Sequence, residues 1–550
     1  MSLQRCAYYF LFVQLIIRGL SFSQAFGQPV KCGFPAVAEA VREGRRLQEG
    51  KPPDYRTLFQ REERQKSFTL GNVRVHYDTS GTDAAAMLDQ LFRPIPGSAD
   101  QFADSVAAIA NSVWELETLV LGYLPPPEDG SEGGGPEYDI YVLDLSGQIY
   151  GRTQPETPLD NLADGGRFTS FIEIDNDFVF VQPSYNKGLP ALRVTLAHEL
   201  HHAIQIGKYS YWIDHVYYHE ITSTWLEDVA YTDVNDYYQY LYTSQSQFAA
   251  PEIPFTSNDP GIIYSRAVWG HYIAKRFGQE AMRRIWEVSF EATVPPLVAI
   301  DAALREQPFN ADLQDGFGEW SVWNYFTGDR HDAQYYPEGA AYPLVEETTF
   351  PFNTPSDTLD EVLSPLSATY HSITSDASPL TLMTSNVDWE TALSGITTPV
   401  PYTYYLNTLA LDNQYKPTLA GIFVKREVDD AFDWQTWAVV NGLVTLLGDS
   451  LPQTAASVPF PNPFLVDGTS ILNIPIGSMS PVMDVEFLIF SSDMDLVFSA
   501  TMDSRSERGR QVMQWNGRNS EMGLAQSGIY FYVVNLPDGV VKGKVALIRK

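Results

Sequence analysis

His198-Glu199-Leu200-His201-His202 is the stretch from which the rest of this chain is read. On a helix, His198 and His202 stand four residues apart, so both imidazoles leave one face, one turn apart. Two neutral imidazoles so placed can share one Zn²⁺. Glu199 lies beside them but is offset around the helix, where a general base acting on a metal-activated water belongs. The flanks continue the helix. Leu192, Leu196, Leu200 and Ala203 form an apolar stripe at helical spacing, and Pro190 occupies a favoured helix start. Burying three histidines and a glutamate in a plain core helix would be costly without a metal or other partners.

Catalytic zinc needs a third protein ligand and one open position. Tyr217 to Ala230 reads as a second helix with Glu220 and Glu227 two turns apart on one side. Glu220 follows His202 by 18 positions (220 − 202), enough for the first helix to end, a loop to turn and a second helix to present a carboxylate. His219 and Glu227 compete for that place. Glu227 can instead orient a ligand histidine, or belong with Asp228 to a solvated face. Tyr264 and His271, seven apart in a run read as helix from Gly261 to Ile273, are candidates to stabilise an oxyanion. Ordinary aromatic packing is the rival for both.

HExxH followed by a glutamate on a downstream helix resembles the gluzincin branch of zinc metallopeptidases. The longer strings, Ala197 to Gln205 (AHELHHAIQ) and Glu220 to Asp228 (EITSTWLED), resemble a family of secreted bacterial metalloproteases over about Cys32 to Pro343. The gap between ligands is slightly shorter than in the best-known gluzincins. The resemblance implies a zincin-like α+β domain, Zn²⁺ as cofactor, and Glu220 as third ligand beside His198 and His202. Glu199 would then be the general base in hydrolysis of a protein or peptide substrate.

A zincin-like domain also needs a sheet edge where an extended peptide can pair. Tyr138 to Asp144 and Ser170 to Asp175 are strand candidates upstream of the helix, and alternation in the second predicts one exposed face. Asp175-Asn176-Asp177 closes it; the trio could help bind Ca²⁺, although a turn is the simpler expectation.

The chain has 550 residues, 44% of them hydrophobic, which suits several globular domains. Its net charge of −32 disfavours nucleic-acid binding. Residues 1–27 read as a signal peptide, with Arg5, an apolar run from Ala7 to Ile17, and Ala25-Phe26-Gly27 before the cut. That run is too short for a stable membrane span, and Arg18 interrupts it. Of the two cysteines, Cys6 would leave with the signal, so no internal disulfide is expected. Lys31-Cys32-Gly33-Phe34-Pro35 resembles the cysteine-switch segment of some zinc proproteases. That resemblance implies latency, because a thiolate is a good fourth zinc ligand.

Residues 28–66 carry Arg42, Arg45, Arg46, Arg61 and Arg64 and read as a prosegment or N-terminal tail that could lie across an acidic cleft. Phe68 to Tyr77 reads as a strand and Ala99 to Leu121 as a helix. The metalloprotease domain spans 67–344, with aromatic-rich helices to about 330. Short alternating runs make 345–452 a β-sandwich candidate. Residues 453–550 contain Phe460-Pro461-Asn462-Pro463-Phe464, Trp515-Asn516-Gly517, Ser527-Gly528-Ile529-Tyr530-Phe531-Tyr532 and the closing Lys542 to Lys550. In that order they resemble the Ig-like C-terminal sorting domain of type IX secretion, and the hook-capping-type Ig-like repeat. The resemblance implies the secretion machinery as a partner and a secreted or cell-surface location.

The expected protein is therefore multidomain: an α+β zincin-like metalloprotease domain followed by all-β Ig-like sandwich domains. Its expected activity is secreted zinc-dependent endopeptidase. The rivals are a non-catalytic surface-binding protein with a degenerate zincin domain, which has no need of Glu199, and a zinc hydrolase of non-peptide amides. Subsite preference and oligomeric state are not encoded in any motif.

Overall fold

The computed structural model describes residues 30–47, 55–147, 149–160 and 165–351. Beyond these it describes 366–374, 380–385, 402–411, 417–419, 424–428, 434–439, 442–447, 459, 464–468, 470–476, 481–491, 496–507, 510–520, 523–536 and 539–549. The signal-peptide segment, Cys6 and Pro461-Asn462-Pro463 lie outside the described residues. The chain divides into two units, Met1–Glu346 and Glu347–Lys550.

The first unit is mixed α/β. Its six-stranded sheet comprises β1 (Val30–Cys32), β2 (Lys66–Leu70), β3 (Val73–Tyr77), β4 (Tyr138–Leu143), β5 (Ile149–Pro158) and β6 (Phe168–Asp175). The spatial order is β1-β5-β6-β4-β3-β2. β3, β4 and β6 run parallel, whereas β5 is antiparallel to β6. Phe68 to Tyr77, read as one strand, is a hairpin: Gly71 adopts φ +57°, a conformation glycine enters without strain, and reverses the chain between β2 and β3. Ser170 to Asp175 does not have an exposed face. Every residue of β6 is buried, because the strand lies inside the sheet with protein on both faces.

Helices α1 (Phe34–Leu47), α2 (Ala99–Glu115), α3 (Leu189–Ile204) and α4 (Val216–Ala230) accompany the sheet. α3 carries the HExxH residues. Its Leu192, Leu196, Leu200 and Ala203 enter a core with Val75, Phe102, Ile140 and Ile172 from the sheet and α2. That burial, worth roughly 1.5–3 kcal/mol for each large apolar side chain, fixes which face of α3 points away from the core. Helices α5 (Ala267–Phe277), α6 (Gln279–Ala292), α7 (Pro296–Arg305) and α8 (Leu313–Tyr325) follow, and shorter helical segments such as Tyr238–Leu241 and Pro260–Ile263 lie between α4 and α5. Gly270 lets α5 close on α4, since a Cβ there would stand 2.3 Å from Cγ of Trp225.

The second unit is all-β in its described residues. Tyr402–Leu411 pairs with Gly442–Leu447, Pro417–Leu419 and Val424–Val428 in a six-stranded sheet. Nearer the C-terminus, a five-stranded and a three-stranded sheet enclose one core containing Phe464, Ile474, Phe487, Trp515 and Val534. Alternate residues of Val485–Ser491 turn inward to it, the period a sandwich strand requires. Among the described residues no helix is long and apolar enough to cross a membrane.

Candidate metal centre

His198 and His202 project from α3 toward Glu220 of α4, as their helical spacing requires. One donor atom each from Cys32, His198, His202 and Glu220 lies within 4.8 Å of all the others, and all four residues are buried. Within this group, Nε2 of His202 and Oε1 of Glu220 have no hydrogen-bond partner of good geometry and stand 3.4 Å apart. Orphaned buried polar atoms are rare, and two such atoms facing one another suit a shared cation. Two imidazoles, a carboxylate and a thiol form a donor set that fits zinc.

The ring orientations follow from the far nitrogens. Nδ1 of His198 is 2.7 Å from Oε1 of Glu227. Nδ1 of His202 is 2.9 Å from Oε1 of Gln205 and 3.1 Å from Oγ of Ser223. Each Nε2 is thereby turned toward the cluster, the arrangement seen when an outer acceptor sets the tautomer. Glu227 thus holds a histidine and is outside the donor cluster. His219 is outside it as well: its Nδ1 meets Gln205 at 3.0 Å and its Nε2 accepts the Trp212 N–H. Gln205 bonds both rings and also donates to Thr222 at 2.8 Å. Sequence reading did not assign this glutamine a role, although it lies three residues past His202 on the same helical face.

Neighbouring charges act unequally on the four groups. Burial opposes a charged His198, yet Glu220 and Glu227 push its pKa up to about 10. Burial alone would raise the Glu220 carboxyl, but His202 and His198 hold it down to about 2. Burial, then Glu199 and Glu220, push the Cys32 thiol well above its usual range. The thiol donates to Oε1 of Glu199 at 3.1 Å. The other carboxylate oxygen of Glu199 accepts from Oγ1 of Thr153 at 2.7 Å. Phe34 stacks flat on His202, with ring centroids 4.0 Å apart.

Cys32 reaches this place through β1, which pairs parallel with β5, Cys32 opposite Gly151. The ladder continues with Gly33 N–H donating to Gly151 O at 2.9 Å. A Cβ on Gly151 would fall 2.8 Å from Cγ2 of Thr195 and 3.1 Å from Cγ of Glu199, so glycine allows the strand to lie against α3. Residues 28–66 are therefore knitted into the unit where they are described. Arg61 bonds Glu156 at 2.6–2.7 Å and also Asp139 and Asp129. Arg64 bonds Asp83 at 2.6 Å.

Tyr264 and His271 have different surroundings along the same run. A 3₁₀ turn, Tyr264–Arg266, joins a short helix, Pro260–Ile263, to α5. Tyr264 stands at the cluster, its ring centroid 6.4 Å from that of His198. Its hydroxyl has no hydrogen-bond partner of good geometry among the described residues. Burial, then Glu220 and Cys32, raise its pKa well above the usual value. His271 lies instead 3.8 Å from Asp228 and against Tyr237, and burial lowers its pKa to about 4. Asp175 uses its carboxylate as a turn acceptor from the N–H groups of Leu145, Asp177 and Phe178, rather than presenting it to a cation. Burial pushes its pKa up to about 7.

No known protein family and no curated protein matches this chain. Among solved structures, PorZ is described as an essential bacterial surface component of the type-IX secretion system of Porphyromonas gingivalis. It matches 21% of this chain and 15% of its own length, at 18% identity and a TM-score of 0.14. The matched part is thus a small share of either protein and carries no functional argument.

Proposed function

We propose that the first unit is a zincin-like zinc endopeptidase of the gluzincin kind, held latent by its own N-terminal segment. The reading rests on one observation above all: the buried set of His198, His202 and Glu220, with Cys32 drawn into it and Glu199 beside it. His198, His202 and Glu220 would hold the ion. Bound zinc supplies Lewis acidity toward water and the scissile carbonyl.

The chain's own groups supply the rest. Glu199 takes the proton of the attacking water and returns it to the leaving amine. Thr153 anchors one oxygen of its carboxylate, so the other is held toward the place the Cys32 thiol occupies. Tyr264 keeps its phenolic proton and can donate it to the developing oxyanion. β5 offers backbone groups to an extended substrate along the line where β1 now pairs. While β1 is in place, substrate cannot pair there, and the Cys32 thiol would be a further donor to the ion beside His198, His202 and Glu220. Export to the cell surface or medium, through the signal peptide and the Ig-like C-terminal sandwich, belongs to the same proposal and rests on the sequence resemblances.

The test is cobalt substitution of the full chain, followed by hydrolysis of an unfolded protein after limited proteolysis of the N-terminal segment. A thiolate-to-cobalt charge-transfer band present in the full chain and missing in Cys32→Ser would support the latent ligand set. Hydrolysis that disappears in Glu199→Gln and on chelation would support the peptidase. A folded, metal-loaded, processed chain with no Glu199-dependent hydrolysis would refute it.

A further inference from the structure

Lys31, next to Cys32 on β1, is itself almost wholly enclosed, at 2% exposure. Its ammonium sits 2.5 Å from Oε2 of Glu227 and also pairs with Asp236. The rings of Tyr150 and Tyr240 flank it, each centroid 5.5 Å away, within cation–π range. Asp236 is fixed from behind by the side-chain amide of Asn186 at 2.9 Å. Burial alone would lower the lysine pKa, yet Asp236 and Glu227 hold it above the ordinary value.

Every wall of this pocket belongs to the body of the unit, while its occupant belongs to the N-terminal segment. If that segment leaves, two carboxylates with negligible side-chain exposure lose their shared cation. Such a pair is strongly unfavourable unpaired. The pocket therefore calls for another cation of similar reach. It also adjoins the metal cluster, because Glu227 binds Lys31 through one oxygen and His198 through the other.

We propose that Asp236 and Glu227, with Tyr150 and Tyr240, form a subsite for a lysine or arginine side chain immediately flanking the scissile bond, and that Lys31 occupies it in the latent chain. This deepens the peptidase reading and rests on it. The substrate class is then polypeptides with exposed basic residues. Lysine is the better fit, since the pocket already closes on an ammonium at the end of a four-carbon stem. Glu227 also joins specificity to the metal site, as a basic side chain there draws on the same carboxylate that orients His198.

Two measurements test it. In the full chain, Lys31→Ala empties the pocket without touching the metal donors. Propylammonium should then restore part of the lost thermal stability in a saturable way. Neutral 1-propanol should not, nor should propylammonium when Asp236→Asn is added. Equal effects of propylammonium on wild type and Lys31→Ala would overturn the pocket. The second measurement needs no Lys31 variant: cleavage-site mapping on unfolded proteins by the processed, zinc-loaded chain. Lysine or arginine should be enriched at one position flanking the cut bond, and Asp236→Asn should lower the ratio of basic to neutral cleavage at least about tenfold. Glu199-dependent cleavage without basic enrichment would overturn the subsite alone. No Glu199-dependent cleavage at all would remove the peptidase reading, and the subsite with it.

Discussion

Replacing Arg61 with methionine keeps the length of the stem but removes the charge from the middle of three carboxylates. Arg61 is only 11% exposed in its side chain, and Asp139, Glu156 and Asp129 are 0%, 5% and 7% exposed in theirs. Asp139 would keep His76, 2.7 Å away, but Glu156 and Asp129 would lose their cation. Removing one partner of a buried ion pair costs about 3–5 kcal/mol, because the remaining charge stays desolvated. Even with Arg61 present, burial pushes Asp129 up to about 6. Without Arg61 the group must titrate higher still, so the folded variant binds protons that the unfolded chain does not. Stability of the variant then rises as pH falls, by about 1.4 kcal/mol per pH unit for each extra proton bound. The expected deficit against wild type is about 3–5 kcal/mol at pH 8, shrinking by up to about 2.7 kcal/mol at pH 6 if one carboxylate is protonated. Urea unfolding at both pH values measures it, read by tryptophan fluorescence, which follows the buried Trp225, Trp269 and Trp286. A deficit below about 1 kcal/mol at pH 8, or one that does not change with pH, would refute the reasoning.

Four other outcomes are expected. Starting the chain at Ser67 removes Arg61 and Arg64 together and should give a markedly less stable first unit than cutting before Tyr55; differential scanning calorimetry of the two products compares them. Glu227→Gln weakens the orientation of His198 and should lower zinc affinity about 10–100-fold, measured by competition with a chromophoric chelator. Gly151→Ala presses a methyl against Thr195 and Glu199 and should cost about 1–3 kcal/mol in thermal denaturation, with no loss expected if β5 does not lie against α3. Burial, with Glu338 and Glu227, pushes Asp228 up to about 7. Its folded pKa is above its unfolded one, so its contribution to stability falls as pH rises from about 4 to 7, and Asp228→Asn should flatten that slope in a pH series of unfolding curves.

Part of this protein was legible one segment at a time. The helix bearing His198, Glu199 and His202 is encoded in apolar residues three and four apart, and that periodicity is local. The same holds for the helix bearing Glu220 and for the strands Tyr138–Leu143 and Val485–Ser491. Because a helix fixes the directions of residues four apart, the facing of His198 and His202 needed no tertiary information. Local reasoning failed at two strands. Gly71 turned one expected strand into a hairpin, and the alternation of Ser170 to Asp175 did not mark an exposed face because the strand is buried on both sides.

Sequence by itself thus determined the donor types, their helical spacing, and the change from an α+β first unit to an all-β second one. Only tertiary structure put Glu220, and neither His219 nor Glu227, into the donor cluster, since His219 is turned to Gln205 and Trp212 and Glu227 to the far nitrogen of His198. It alone brought Cys32 to Glu199 across 167 positions, by way of a three-residue strand too short to carry a periodic signal. Lys31 came with it, into carboxylates that no spacing rule links to it. Helical geometry acts over a few residues of chain. Strand pairing and buried ion pairs join residues that are neighbours only after the chain has closed on itself, so their partners are chosen by the fold.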